Sequence, residues 1–164
     1  MWWNPNTFAN DQASEVEYVS GGSWWAISVR NSGSSEATQK CYLLYCDSGV
    51  SLRFGMQWLT EAWGVYLDSG TTTVTKGTRY RLVVSGQDTN IQLRAYVDDV
   101  LKATLNYADF VVKQIINSGV PGLYANAANP IMDNWEGESI GVGPQPHVLW
   151  PRRRVAQRSR RWDW

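Results

Sequence analysis

Short runs of alternating apolar and polar residues, punctuated by Gly, Asn, Asp and Ser, recur along most of this chain. No segment longer than a turn or two holds a helical period. Ser14–Ser20 sets Val16 and Tyr18 on one face against Glu15 and Glu17, and Gly21-Gly22 turns the chain. Trp24–Arg30 directs Trp25, Ile27 and Val29 one way and Trp24, Ala26, Ser28 and Arg30 the other. Lys40–Cys46 is apolar on both faces, as expected of a central strand, and Asp47-Ser48-Gly49 is a hairpin signal. Val50–Met56 and Trp58–Leu67 continue the sheet, with Arg53 and Tyr66 facing away from Phe54 and Leu67. Thr78–Ser85 directs Tyr80, Leu82 and Val84 inward, and Asn90–Val97 does the same with Ile91, Leu93, Ala95 and Val97. Asp98-Asp99 turns into Val100–Asn106; residues 108–116 read as loop or strand, and Ile131–Glu136 as the last strand. About nine short strands at regular turn spacing predict an all-β sandwich or barrel.

With 164 residues the chain fits one domain and can bury a core without disulfide or metal support. No apolar run approaches the roughly 20 residues of a membrane span, and Met1-Trp2-Trp3-Asn4-Pro5 has no features of a signal peptide. The net charge is zero but unevenly spread: six arginines lie between Arg152 and Arg161. Residues 1–147 therefore carry a net −5, a body expected to repel nucleic acid. Residues 1–140 read as the domain, and 141–164 as a basic Trp/Arg tail expected to be disordered. A basic run interleaved with Trp is also a pattern that binds RNA or anionic membrane.

Cys41 and Cys46 fall on one strand, where a rise of about 3.3 Å per residue separates them by roughly 16 Å. A disulfide needs Cα atoms within about 7 Å, so both read as small buried hydrophobes. The single His and the absence of CxxC argue against zinc. Ten Trp and eight Tyr accompany only three Phe. Rings with a polar handle suit half-wet surfaces, including platforms on which sugar rings stack, although β cores also consume aromatics.

From Thr78 the chain carries a recognisable order of segments: Thr78-Arg79-Tyr80-Arg81-Leu82-Val83-Val84-Ser85-Gly86, then Ile91 to Leu101 with its Val97-Asp98-Asp99 hairpin. Ser118-Gly119-Val120-Pro121-Gly122-Leu123-Tyr124 and Met132-Asp133-Asn134-Trp135-Glu136-Gly137 follow. This resembles the C-terminal half of concanavalin A-like jelly rolls, especially laminin-G-like modules of bacterial and phage proteins, with Asp99 where glycine is usual. Asn6 to Gln12 extends the resemblance to roughly residues 4–139. It implies a two-sheet antiparallel jelly-roll sandwich and an extracellular or virion-associated setting. Such domains begin with further strands upstream of Asn6, so an unpaired sheet edge and a homodimer formed across it are expected.

Relatives that hydrolyse glycosides present E-x-D-x-x-E, which aligns alternate carboxylates for two-carboxylate chemistry. Here Glu15-Val16-Glu17 lacks the third member and reads as a solvated face, and Glu61 is isolated. His147 lies in the tail, Gly-x-Ser-x-Gly is absent, and Asp98-Asp99 is ordinary turn chemistry. No cofactor is expected. The resemblance leaves calcium at Asp133 open, although calcium takes 6–8 oxygen ligands. The resemblance also makes the middle strands a concave sheet that binds sugars in some members. Alternation assigns Trp24, Arg30, Arg53 and Tyr66 to that face with either Tyr42 or Tyr45, Tyr42 being preferred, while Trp25, Trp63 and Trp135 go to the core. Rings beside guanidinium forks suit polyols. The leading expectation is non-enzymatic glycan or polysaccharide binding. A structural or oligomerisation module of a phage or surface protein comes second, and a carbohydrate-active hydrolase with an unrecognised site third.

Overall fold

The computed structural model describes residues 8–21, 24–32, 40–47, 51–58, 64–68, 74–110, 115–125 and 130–140; over 51–58 and 64–68 the backbone alone is described. The predicted Glu61 and Trp63 and the tail over 141–164 lie outside the described residues. Among the described residues ten strands run in the order β1 (Gln12–Ser20), β2 (Trp24–Ser32), β3 (Lys40–Asp47), β4 (Ser51–Trp58), β5 (Gly64–Asp68), β6 (Thr78–Ser85), β7 (Gln92–Val97), β8 (Val100–Asn106), β9 (Val120–Ala125) and β10 (Ile131–Ser139). They form two five-stranded antiparallel sheets. Sheet A has the order β10-β1-β6-β7-β8, and sheet B the order β5-β4-β3-β2-β9. The chain is an all-β jelly-roll sandwich: the alternation predicts an all-β sandwich or barrel, and the resemblance implies the two-sheet jelly roll. Among the described residues no helix is long and apolar enough to cross a membrane.

The core lies where the two inward faces meet. Val16, Tyr80, Leu82, Val84, Leu93, Ala95 and Val97 of sheet A pack with Trp25, Ile27, Val29, Tyr42, Leu44 and Cys46 of sheet B. Trp25 anchors it, stacked on Tyr18 at 5.6 Å and meeting Tyr80 edge-on at 5.1 Å. Both geometries are favoured by the ring quadrupoles. Trp135 departs from its core assignment. At 37% exposure it lies on β10, at the edge of sheet A, and its indole Nε1 donates to Ser14 Oγ at 3.1 Å.

Turn chemistry decides several junctions. Asp98 and Asp99 have φ of 47° and 63°, the two positive values of a type I′ hairpin turn. Asp98 Oδ1 also accepts the Arg79 amide at 2.9 Å. The structure has one strand the alternation overlooks, β9, because Pro121 and Gly122 depress β propensity. As an edge strand it tolerates proline's missing donor. The expected free edge near the chain start is not found at β1, which pairs with both β10 and β6. Among the described strands, the edges are β10 and β8 in sheet A and β5 and β9 in sheet B.

Cys41 and Cys46 are free thiols, buried on opposite faces of β3. Burial pushes Cys41 up to about 12 and raises Cys46 in the same direction. The folded state therefore keeps both thiols neutral, while the unfolded chain ionises them above about pH 8.5. Stability is fully present below that value and falls as pH rises towards the folded-state values, by up to about 1.4 kcal/mol per pH unit for each thiol. Above about pH 10, Tyr42 and Tyr80, raised mainly by burial, add to the loss. Urea midpoints at pH 7, 9 and 10 are expected to descend in that order. A flat series would mean that the thiols meet water in the folded state.

Candidate functional site

Residues directly opposite in neighbouring strands share a face, so the register defines the outer face of sheet B. One transverse row runs Tyr124 (β9), Ala26 (β2), Tyr45 (β3), Arg53 (β4) and Asp68 (β5). The next runs Gly122, Ser28, Leu43, Gly55 and Tyr66. At about 4.8 Å between strands, each row spans roughly 19 Å. Rings are spaced along the first row by a small residue, and its far end opposes an arginine to an aspartate.

The β9–β2–β3 half of this face is built tightly. Ala26, Cys41, Leu43 and Tyr45 are buried there, Tyr45 at 8% exposure, with half-buried Trp24 and Tyr124 packed against them. The Trp24 and Tyr45 rings lie 5.7 Å apart at 34°. Tyr124 donates its hydroxyl to Asn31 Oδ1 at 2.7 Å, and Asn31 Nδ2 donates to Ser28 Oγ at 2.7 Å and to the Val120 carbonyl at 2.9 Å. Gly122 makes room for that amide: a Cβ there would lie 2.6 Å from Asn31 Nδ2. Burial, with Cys41 adding to it, pushes the Tyr124 phenol well above the ordinary tyrosine range, so it stays a neutral donor.

The predicted site residues separate into two groups. Trp24, Arg53 and Tyr66 share the outer face by register; the Arg53 and Tyr66 side chains lie outside the described residues. Tyr42 is corrected to the core. It shares the inward face with Leu44 and Cys46, its ring lies 5.8 Å from Phe110, and its hydroxyl accepts the Ile116 amide at 2.9 Å. Of the two tyrosines weighed, Tyr45 takes the outer face.

Arg30 is corrected as well. It is fully buried and cannot line a surface open to water. The cause is a bulge: the register of β2 slips between Val29 and Ser32 towards β3 and between Ser28 and Asn31 towards β9. Arg30 itself takes φ +53°, which breaks the two-residue alternation. Its guanidinium donates to the carbonyls of Asn10 at 2.7 Å and Ile116 at 2.8 Å, and to that of Gly86, with the Asp11 carboxylate 3.7 Å away. Its amide donates to Gln12 Oε1 at 2.9 Å, and Gln12 Nε2 donates to Gly119 O at 2.8 Å and Ala9 O at 2.9 Å. Arg30 and Gln12 form a clasp between the sheets. Desolvation by burial lowers the Arg30 pKa, opposed by the charges of Tyr42 and Asp11.

Of the sites weighed for chemistry, Glu15 and Asp133 have structural partners. Glu15 pairs with Arg79 and lies 3.9 Å from Arg81. Asp133 opposes Glu17 beside a bulge in β10, and its Oδ1 accepts the Asn134 amide at 2.9 Å. Asn134, at φ +52°, donates its side-chain amide to Glu17 Oε2 at 2.9 Å. Among the described residues no three His, Cys, Asp or Glu side chains gather closely enough to hold a metal ion. Tyr124, Asn31 and Asp68 are residues of this face that the sequence reading missed. The Gly122-Leu123-Tyr124 segment was the available signal, once taken as a strand.

No known family profile matches the chain, and no curated protein matches it significantly. Among solved structures, the carbohydrate-binding module CBM66 from Bacillus subtilis is similar over 79% of this chain and 74% of its own, at 16% identity and a TM-score of 0.51. CG-16, a homodimeric agglutinin from chicken liver, matches over 80% of this chain and 93% of its own, at 9% identity and a TM-score of 0.44. A SAP-like pentraxin from Limulus polyphemus matches over 80% and 64%, at 10% identity and a TM-score of 0.41. The likeness to the first of these is one of fold: the same two-sheet antiparallel sandwich.

Proposed function

We propose that this chain is a non-enzymatic carbohydrate-binding module, of laminin-G-like type, that recognises a glycan or polysaccharide through the outer face of sheet B. The row Tyr124–Ala26–Tyr45–Arg53–Asp68 carries the reading. The half-buried Trp24 and Tyr124 rings, over buried Tyr45, offer apolar faces to the C–H side of a sugar ring. An arginine beside them offers fixed paired donors to hydroxyl groups, and an aspartate offers acceptors. Trp24 and Tyr66 flank that row, so the ligand face centres on Trp24, Arg53, Tyr66 and Asp68. Arg30 and Tyr42 serve as framework. The printed description of CBM66 as a carbohydrate-binding module supports the same reading.

A glycan array tests it. Wild-type protein is expected to bind one saccharide class, and Trp24→Ala and Arg53→Ala are each expected to weaken that binding by about tenfold or more, the loss of one stacking ring or one charge-assisted pair. Arg53→Ala should melt near wild type, whereas Trp24→Ala also loses its packing on Tyr45 and should melt lower, so its binding is read at a temperature where it remains folded. Absence of any saccharide hit would sink the proposal.

A second reading, a structural module that self-associates through a sheet edge, is favoured by β8, where Val100 and Leu101 are 55% and 50% exposed on an edge strand. Light scattering decides it: a concentration-dependent dimer abolished by Leu101→Lys supports it, and a monomer throughout rejects it.

A further inference from the structure

Tyr124 and Asn31 meet in one contact on the outer face of sheet B. Tyr124 is half-buried and packs against the cluster of Ala26, Cys41, Leu43 and Tyr45, so part of its ring stays open to a ligand. Asn31, at 5% exposure, lies below that surface. The register places Asn31 opposite Val120, four residues back along β9 from Tyr124. The bond from the Tyr124 hydroxyl to Asn31 Oδ1 at 2.7 Å therefore lays the phenol along the strand, across Gly122. Gly122 has no side chain to lift the ring, and a Cβ there would lie 2.6 Å from Asn31 Nδ2 and 2.9 Å from Ser28 Oγ. The amide is itself held: its Nδ2 donates to Ser28 Oγ and to the Val120 carbonyl, which turns its oxygen to the phenol.

We infer that Asn31 is a positioning residue for glycan binding: it holds the Tyr124 ring flat on the sheet as a ready platform, where one sugar unit is recognised by its C–H side. The inference rests on the glycan reading of sheet B and says how one of its rings is made ready. A ring that rotates must be ordered when a sugar stacks on it, and a ring already tied down does not bear that cost at binding. The tie also decides what the ring offers. The hydroxyl proton is committed to Asn31, and the Cys41 thiol shares a hydrogen bond with the same oxygen. The phenol therefore meets a ligand with its apolar face, its donor already used. Stacking on such a face is tolerant, because every pyranose has a C–H side. Selection among sugars then falls to the Arg53–Asp68 end of the row.

Binding curves on the glycan array, taken at a series of protein concentrations and below each variant's melting transition, test the inference. Tyr124→Ala removes the platform and is expected to weaken every saccharide bound by wild type about tenfold, in unchanged rank order. Tyr124→Phe keeps the ring and removes the tie, and Asn31→Ala removes the same tie from its other end. Each is expected to weaken binding about threefold or more, and the pair together no more than either alone. In the Tyr124→Ala background, Asn31→Ala should leave affinity unchanged while still lowering the melting temperature, which a purely structural role would not distinguish. Wild-type affinity in Tyr124→Ala or Tyr124→Phe overturns the proposal, as does a loss in Tyr124→Phe that Asn31→Ala does not share, since the hydroxyl would then touch the sugar itself. Reordering of the saccharides by Tyr124→Ala overturns recognition by the ring face. Binding of no saccharide by wild type overturns the glycan reading and this inference with it, a result distinct from all the others.

Discussion

Arg30→Ala is expected to cost about 3–5 kcal/mol of folding stability, the range for removing one partner of a buried charge-assisted network. Against a typical total of about 5–15 kcal/mol, that leaves a chain near the limit of folding. The guanidinium ties the carbonyl of Asn10 just before β1, that of Gly86 just after β6, and that of Ile116 in the segment leading to β9. Alanine leaves those acceptors without their donor and the Asp11 carboxylate without its cation. The neighbouring bonds depend on the same positioning: the Ile116 amide to Tyr42, and the Gly86 amide to Asp11 Oδ1 at 3.0 Å. Arg30→Lys should recover little, since an ammonium is a point donor and cannot span three carbonyls with a planar fork. Urea titration followed by tryptophan fluorescence measures both variants. A loss below about 1 kcal/mol for alanine, the size expected of a solvated surface pair, would mean that the guanidinium is not the clasp described.

Arg30 also marks where sequence reasoning about this fold stops. Strict alternation was enough for the core. Val29, Leu82 and Leu93 lie where period two sends them, and the Asp98-Asp99 turn follows from its own chemistry. Each of these depends only on neighbours in sequence. The site residues depended on more. Lys40–Cys46 is apolar on both faces, so period alone could not say whether Tyr42 or Tyr45 points inward; pairing with Val29 and Ala26 decides it. Arg30 falls one step past the last regular pair of β2, in a bulge held by Gln12 from the other sheet. A bulge is a long-range agreement between strands, and its only local trace is an arginine in positive φ, which no composition rule anticipates. Trp135 was misassigned for the related reason that an edge strand has one neighbour fewer, so a large ring there stays 37% exposed.

Gly119→Ala is the companion test of that clasp, with an expected loss of about 3–5 kcal/mol from backbone strain and overpacking together. Gly119 sits at φ +148°, and a Cβ there would overlap the backbone carbonyls of Arg30 and Asn31, which cannot rotate aside as a side chain could. Its own carbonyl accepts Gln12 Nε2, so a shift to relieve the overlap loses that bond. Gly77 is the control. It too has positive φ, +73°, but a Cβ on it meets nothing within 4 Å, so Gly77→Ala should cost only the roughly 1–2 kcal/mol of a left-handed backbone. The gap between the two glycines isolates the packing contribution from the conformational one. Because Gly119 lies against the Arg30–Asn31 backbone, Arg30→Ala with Gly119→Ala should lose clearly less than the sum of the single changes, as residues sharing one network do. Full additivity in that cycle would mean that the bulge and the close approach of the β9 segment are separate features, and that no single clasp joins the sheets.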